Sequence, residues 1–201
     1  YKCGSQLGSG GLCLRCGADV SIYRKIVHIS NGYYNAALEK AKVRNLSGAI
    51  RDLTVSLQYD KKNIQARNLL GLCYFETGEI VEALCQWVIS KNLKPDDNIA
   101  EEYINEIQQD KHALENMYGA IKKYNQALDA AKHDGKDLAI ITLKSAVSQN
   151  KKLLKAYQLL SLLLIDDGDI SKANKVVKQG LSIDKGNIVL LRYIKETKGK
   201  V

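Results

Sequence analysis

The stretch from Leu69 to Trp87, LLGLCYFETGEIVEALCQW, decides the fold. Its apolar residues return at helical spacing on both sides of a Thr77-Gly78 step. Leu69, Leu70, Leu72, Cys73 and Tyr74 precede the step, and Ile80, Ala83, Leu84, Trp87 and Val88 follow it. Gly78 supplies the left-handed residue that ends one helix and turns the chain into the next. Gly71 and Ala83 put a small side chain at the same level of the two helices, so the pair is expected to cross closely as an antiparallel hairpin. Such a hairpin cannot bury its apolar face alone and must stack on others.

Working outward, the same pattern occurs four times. Ala49, Ala83, Ala139 and Ala173 mark the second helix of each copy, and the first two and last two are 34 residues apart. Twelve residues before each marker stands a small residue: Ala37, Gly71, Ala127 and Ser161. Turn signals fall between at Arg44-Asn45, Thr77-Gly78, Asp134-Gly135 and Asp167-Gly168. A fixed period of this length is the signature of a repeat architecture.

The middle breaks the period, because Ala83 and Ala139 are 56 residues apart, one repeat plus 22. The extra segment, 98–119, has helical spacing of its own at Ile99, Tyr103, Ile104 and Ile107, then Leu114, Met117 and Tyr118. Asp96-Asp97-Asn98 offers an N-cap after Pro95, and Asp110-Lys111 offers a break. The last periodic stretch, Ile188 to Thr197, reads as a capping helix. The expected organisation is therefore all-α. It comprises a cysteine-bearing leader at 1–18, hairpins at 19–97, an inserted helical segment at 98–119, hairpins at 120–187, and a capping helix with a basic tail at 188–201.

This spacing resembles the tetratricopeptide-repeat (TPR) family, over about two thirds of the chain. Leu70, Gly71, Tyr74, Gly78, Ala83, Trp87 and Pro95 match that family's pattern best, followed by Tyr157, Leu160, Ser161, Gly168, Ala173 and Val177. The other two copies depart from it, with Lys61 and Lys151 in place of the closing proline. The resemblance implies a helical-hairpin solenoid of about four repeats whose first helices line a concave groove for a protein or peptide. Carried over residue by residue, the groove positions are Tyr34, Asn68, Tyr124 and Gln158, with Leu38, Leu72, Leu128 and Leu162 one turn on. The four leucines are expected to form a covered apolar stripe that suits an apolar or helical segment better than a charged tail.

The leader carries Cys3-Gly4 and Cys13-Leu-Arg-Cys16-Gly17. Cys-x-x-Cys-Gly lets two thiolates reach one metal while glycine makes the tight turn around it. The leader resembles the small zinc ribbons that begin many bacterial proteins. A cysteine just before Tyr1 would complete a four-thiolate set with Cys3, Cys13 and Cys16, and zinc held so is structural. Cys73 and Cys85, one on each helix of the second hairpin, are expected to be buried small apolar residues.

Composition limits the alternatives. Hydrophobic residues are 45% of the 201, so the chain is not disordered by composition. The net charge of +8 is shared evenly along the chain, which reads as a solvated lysine surface. Lys195, Lys198 and Lys200 form the nearest thing to a basic run. No phosphate loop, nucleophile elbow or acid–base pair appears, and the expectation is a protein that is not an enzyme. No apolar run is long enough to span a membrane, and no secretory leader is visible, so a cytoplasmic scaffold is expected. The resemblance to ribbon-plus-TPR proteins also admits a longer, membrane-anchored protein whose cytoplasmic part this is. The alternative is an RNA- or ribosome-associated adaptor using the ribbon and the lysines.

Overall fold

The computed structural model describes Cys3, Ser5 and residues 10–197. Lys198 and Lys200 of the basic tail, and Gly4 of the first half-knuckle, lie outside the described residues. Ten helices follow in order: α1 (Ser21–Lys42), α2 (Leu46–Tyr59), α3 (Ile64–Glu76), α4 (Ile80–Leu93), α5 (Ala100–Gln109), α6 (Lys111–Lys132), α7 (Lys136–Gln149), α8 (Leu154–Asp166), α9 (Ile170–Ile183) and α10 (Ile188–Thr197). Extended pairing among the described residues is confined to one bridge between Leu12 and Asp19. Helices α1/α2, α3/α4, α6/α7 and α8/α9 pair as antiparallel hairpins. The eight small residues at their crossings, Ala37/Ala49, Gly71/Ala83, Ala127/Ala139 and Ser161/Ala173, are all buried. At Gly71 the reason is direct: a Cβ there would strike the indole of Trp87. That indole lies 1% exposed and donates from Nε1 to the Asn68 carbonyl at 3.1 Å.

The turns are made as the residue types dictate, with one revision. Gly78 and Gly168 adopt positive φ, and the amides that follow return to carbonyls of the preceding helix. In the first and third hairpins the left-handed residue is Arg44 or Asp134, not Gly135. Arg44 is held there by contacts to the other half of the chain, through its carbonyl to the Lys185 amide and its guanidinium to Ile183 O, and by the Glu76 carboxylate of its own module.

The segment 98–119 is divided between two elements. Helix α5 ends at Gln109, α6 starts at Lys111, and the Asp110 side chain caps α6 by accepting from the Ala113 amide at 2.9 Å. The result is a duplication: α6 to α9 repeat the spans of α1 to α4 with starts and ends 90 residues later, and α10 follows α9 much as α5 follows α4. Tyr34-Asn35-x-Ala37-Leu38 returns as Tyr124-Asn125-x-Ala127-Leu128, and Tyr103-Ile104 as Tyr193-Ile194. The chain is therefore two five-helix modules, and the long α6 is the counterpart of the long α1.

The modules meet edge to edge. At one junction the C-terminal end of α3 abuts the N-terminal end of α8, where the Leu154 amide donates to Thr77 O. Gly78 is needed here twice over, since its φ is +78° and a Cβ would lie 2.6 Å from the Leu153 backbone. At the other, α9 ends against the start of α2. The fully buried Asp184 carboxylate accepts from the Leu46 amide at 2.9 Å, the Ser47 amide at 3.2 Å and the Ser47 hydroxyl. A carboxylate at a helix N-terminus satisfies orphan amides and complements the macrodipole. Apolar packing continues through both junctions, with Leu46, Leu53, Leu70 and Cys73 in one cluster with Leu154, Tyr157, Ile183 and Leu190. Glu76 bridges the edges by pairing with Arg44 and with Lys152 at 2.6 Å.

The same position serves opposite ends according to what it meets. Leu153 packs into the junction, whereas its counterpart Asn63 turns inward, donating to Ser30 Oγ and Asn31 Oδ1 at 3.0 Å. Cys73 is buried in the junction cluster, and burial pushes its thiol up to about 12. Cys85 corrects the sequence expectation: it is exposed, on the outer face of α4.

Two outcomes are expected. Asp184→Ala removes the acceptor of the Leu46, Ser47 and Gly186 amides, the Ser47 hydroxyl and Asn187 Nδ2 and should cost about 3 kcal/mol of stability, read as a lower denaturation midpoint; Asp184→Asn, which keeps one acceptor, should cost less. At pH 8 an alkylating reagent should modify Cys85 well before Cys73, mapped by peptide mass, because the thiolate is the nucleophile and Cys73 has almost none at that pH.

Candidate functional site

The groove residues are set by the first helices of the hairpins. In the first module Tyr34, Asn68 and Leu72 line one hollow of about 220 Å³ together with Gln65, Leu69, Ile99 and Tyr103. Two further hollows share Leu72. One, about 290 Å³, opens between α1 and α3 beside Arg44 and Glu76. The other, about 410 Å³, lies in the elbow of α5 and α6 over α3 and α4. Leu72 is thus the common wall of these three hollows, and Leu38 is half-buried on α1.

Asn68 is already engaged. Its Nδ2 donates to Asn98 Oδ1 at 3.0 Å, and Asn98 caps α5 by accepting from the Ala100 amide. Gln158 does the same in the second module, donating to Asn187 Oδ1, which accepts from the Leu190 amide at the start of α10. Both amides tie the second hairpin of a module to its fifth helix.

Tyr124, Leu128 and Leu162 sit on the equivalent face of the second module, and none of the hollows around Leu72 includes them. The covered stripe expected from the sequence is corrected accordingly. Leu38, Leu72 and Leu128 are half-buried, while Leu162 is 44% exposed. The physical reason is α6: its first turns roof the hollow at Leu72, a cover that Leu162 lacks among the described residues.

The elbow pocket holds residues that the repeat pattern does not single out as a site. Phe75, Trp87 and Tyr103 form its aromatic wall, with Trp87 and Tyr103 ring centroids 5.1 Å apart and Phe75 and Trp87 6.2 Å apart. Ile107, Leu114 and Met117 close the apolar lining, and Glu106 and Asp110 stand at it from α5 and the elbow. Lys152 lies 4.4 Å from the Phe75 ring centroid. The periodicity of α5 and α6 marks Tyr103, Ile107, Leu114 and Met117 as apolar, but nothing in it tells that they face Phe75 and Trp87.

The cysteine cluster forms on a small hairpin. The Leu12–Asp19 bridge, Cys13 N to Ala18 O and Gly17 N to Cys13 O (both 2.8 Å), and the positive φ of Gly17 fold the chain tightly around Cys13 and Cys16. The Sγ atoms of Cys3, Cys13 and Cys16 all lie within 4.8 Å of one another, and Cys3 and Cys13 are 3.6 Å apart. Sulfurs around a tetrahedral zinc, at about 2.3 Å from it, stand roughly 3.8 Å apart. The Ser5 hydroxyl lies against Cys3 and Cys13, at 3.1 and 3.3 Å. It holds the Cys13 thiol down to about 6, helped by the amides of Cys16 and Arg15. The Cys3 thiol is lowered by the Ser5 hydroxyl and amide. Cys16 receives the Ala18 amide, which lowers its pKa, but Cys3 and Cys13 outweigh it and push it up.

No family model matches the chain, and a comparison with curated proteins returns no match. Solved structures do align with it. A crystal structure of MamA is 22% identical over 82% of this chain and 84% of that chain, with a TM-score of 0.40. YrrB, described as a TPR protein with an unusual peptide-binding site, is 15% identical over 90% and 82%, with a TM-score of 0.39. The TPR domain of P58(IPK) is 19% identical over 85% of this chain and 55% of that chain, also at 0.39. The fold and its sites therefore rest on the geometry of this chain itself.

Proposed function

We propose that the chain is a non-catalytic protein-binding scaffold that captures a segment of a partner on the concave face of its first module. The observation that carries this reading is the convergence of three hollows on Leu72, with Tyr34, Leu69 and Tyr103 beside it. Large apolar and aromatic side chains around a concave surface are what a partner segment needs for anchoring, since a few such contacts carry most of an interface's energy. Tyr124, Leu128, Gln158 and Leu162 offer a second, more open surface of the same kind on the second module.

The cysteine cluster is part of the same proposal. Cys3, Cys13 and Cys16 have the chemistry and spacing to hold zinc structurally, as a ribbon-like cap beside the start of α1. Zinc would supply only charge and a fixed point for the hairpin. Among the described helices none is long and apolar enough to cross a membrane. No feature of the described residues favours the RNA reading over this one.

Leu72→Lys with Leu128→Lys should abolish capture of a natural partner in a pull-down while circular dichroism stays unchanged. Undiminished capture would refute the groove assignment. Elemental analysis of protein that carries a cysteine just before Tyr1, purified without chelator, should find about one zinc per chain, lost in Cys13→Ser; metal-free protein with an unchanged leader would count against the ribbon.

A further inference from the structure

The charge of the chain is not even around the elbow pocket. Residues 96–115 carry seven carboxylates (Asp96, Asp97, Glu101, Glu102, Glu106, Asp110 and Glu115) against the single Lys111. The rest of the chain, with 29 basic and 15 acidic residues, carries +14. Asp97 and Glu101 are paired with Lys94 and Lys91. Glu102 and Glu106, one helical turn apart on α5, are exposed, and Glu106 lines the elbow pocket with Asp110. Acidic side chains of α5 and the elbow thus form a rim along one side of an aromatic cavity on a molecule whose remainder is net basic.

The second module shows that the aromatic wall is not part of the repeat. The counterparts of Phe75 and Trp87 are Ile165 and Val177, and that of Glu102 is Arg192, while Glu106 keeps an acidic counterpart in Glu196. The pocket volume, about 410 Å³, falls in the range of ligand sites. Met117 gives the wall a flexible, polarisable side chain that adapts to what enters.

We propose that the elbow pocket between α5 and α6 receives a bulky apolar side chain from a basic partner segment, with Lys or Arg flanking that anchor. The proposal rests on the scaffold reading and names the partner's chemistry for it. The anchor packs against Phe75, Trp87, Tyr103 and Ile107, while the flanking cations meet Glu102, Glu106 and Asp110. Selection is sharp because of the contrast in sign. The net +14 of the remainder disfavours a basic segment over much of the other surface relative to this rim, so binding there is directed by charge as well as by shape.

Trp87 is the only tryptophan in the chain, which makes it a built-in reporter. Two tryptophan-free helical peptides of equal length would be titrated against the full chain. Both carry Leu and Phe anchors at i, i+4 and i+7; one has Lys and Arg on its other positions and its twin has Glu. The basic peptide should shift Trp87 emission saturably, and the acidic twin should not. Ala113→Arg, which fills the pocket mouth from α6, and Glu102→Lys with Glu106→Lys, which reverses the rim, should each weaken binding about tenfold or more without loss of helicity. Equal responses to both peptides, no response to the basic one, or full binding by either variant would overturn the proposal. If Ala113→Arg protein still captures a cellular partner that Leu72→Lys/Leu128→Lys loses, the pocket assignment fails and the scaffold reading stands.

Discussion

Everything in this protein follows from the closeness of four helix crossings, each made by two small residues. Alanine, glycine or serine at the crossing level lets each hairpin close with its backbones near one another. That closeness leaves the larger apolar residues, Leu53, Leu70, Leu143 and Leu160 among them, on the flanks, where one hairpin cannot cover them. Stacking is the only way to bury those flanks, so the hairpins associate in pairs and each pair takes a fifth helix against its end. The Asn68–Asn98 and Gln158–Asn187 bonds repeat this solution in the two modules: an amide on the second hairpin fixes the asparagine that caps the fifth helix.

The association of the modules is of a different kind. It is directional, matching the C-terminal end of one helix to the N-terminal end of another at two places, and it combines apolar contact with charge. Asp184 is the centre of one junction, and Gly78 is the close approach of the other. Both surfaces differ from their counterparts on the outer edges. Lys94 stands where Asp184 would, and Asn63 where Leu153 would. Edges that lack the buried carboxylate and the leucine do not present the same surface to a further module, which gives the contact its single use within the chain.

The candidate partner site is a consequence of the link between modules. Helix α6 has to begin one residue after α5 ends, and its first turns then overhang α3 and α4. The overhang makes the elbow cavity and roofs Leu72, and it brings Tyr103, Ile107, Leu114 and Met117 round to Phe75 and Trp87. The acidic residues of α5 come with it. At the other end of the chain, the cysteine hairpin precedes α1 and its thiols depend on a serine hydroxyl and on amides for their charge.

The sequence by itself determined the hairpins, because small residues, turn residues and helical periodicity act over a few residues and leave their mark at fixed spacing. It likewise marked Cys3, Cys13 and Cys16 as metal-ligand types, and it gave the break at Asp110. It did not show that Cys85 faces water, that Leu162 lies open while Leu72 is roofed, or that Asp184 reaches α2 from 137 residues away. Those were decided by the tertiary structure. Periodicity tells which side of a helix is apolar but not what lies opposite it. Contacts such as Asp184 with Leu46, or Tyr103 with Trp87 at the pocket wall, join segments whose only relation is the path the chain takes between them.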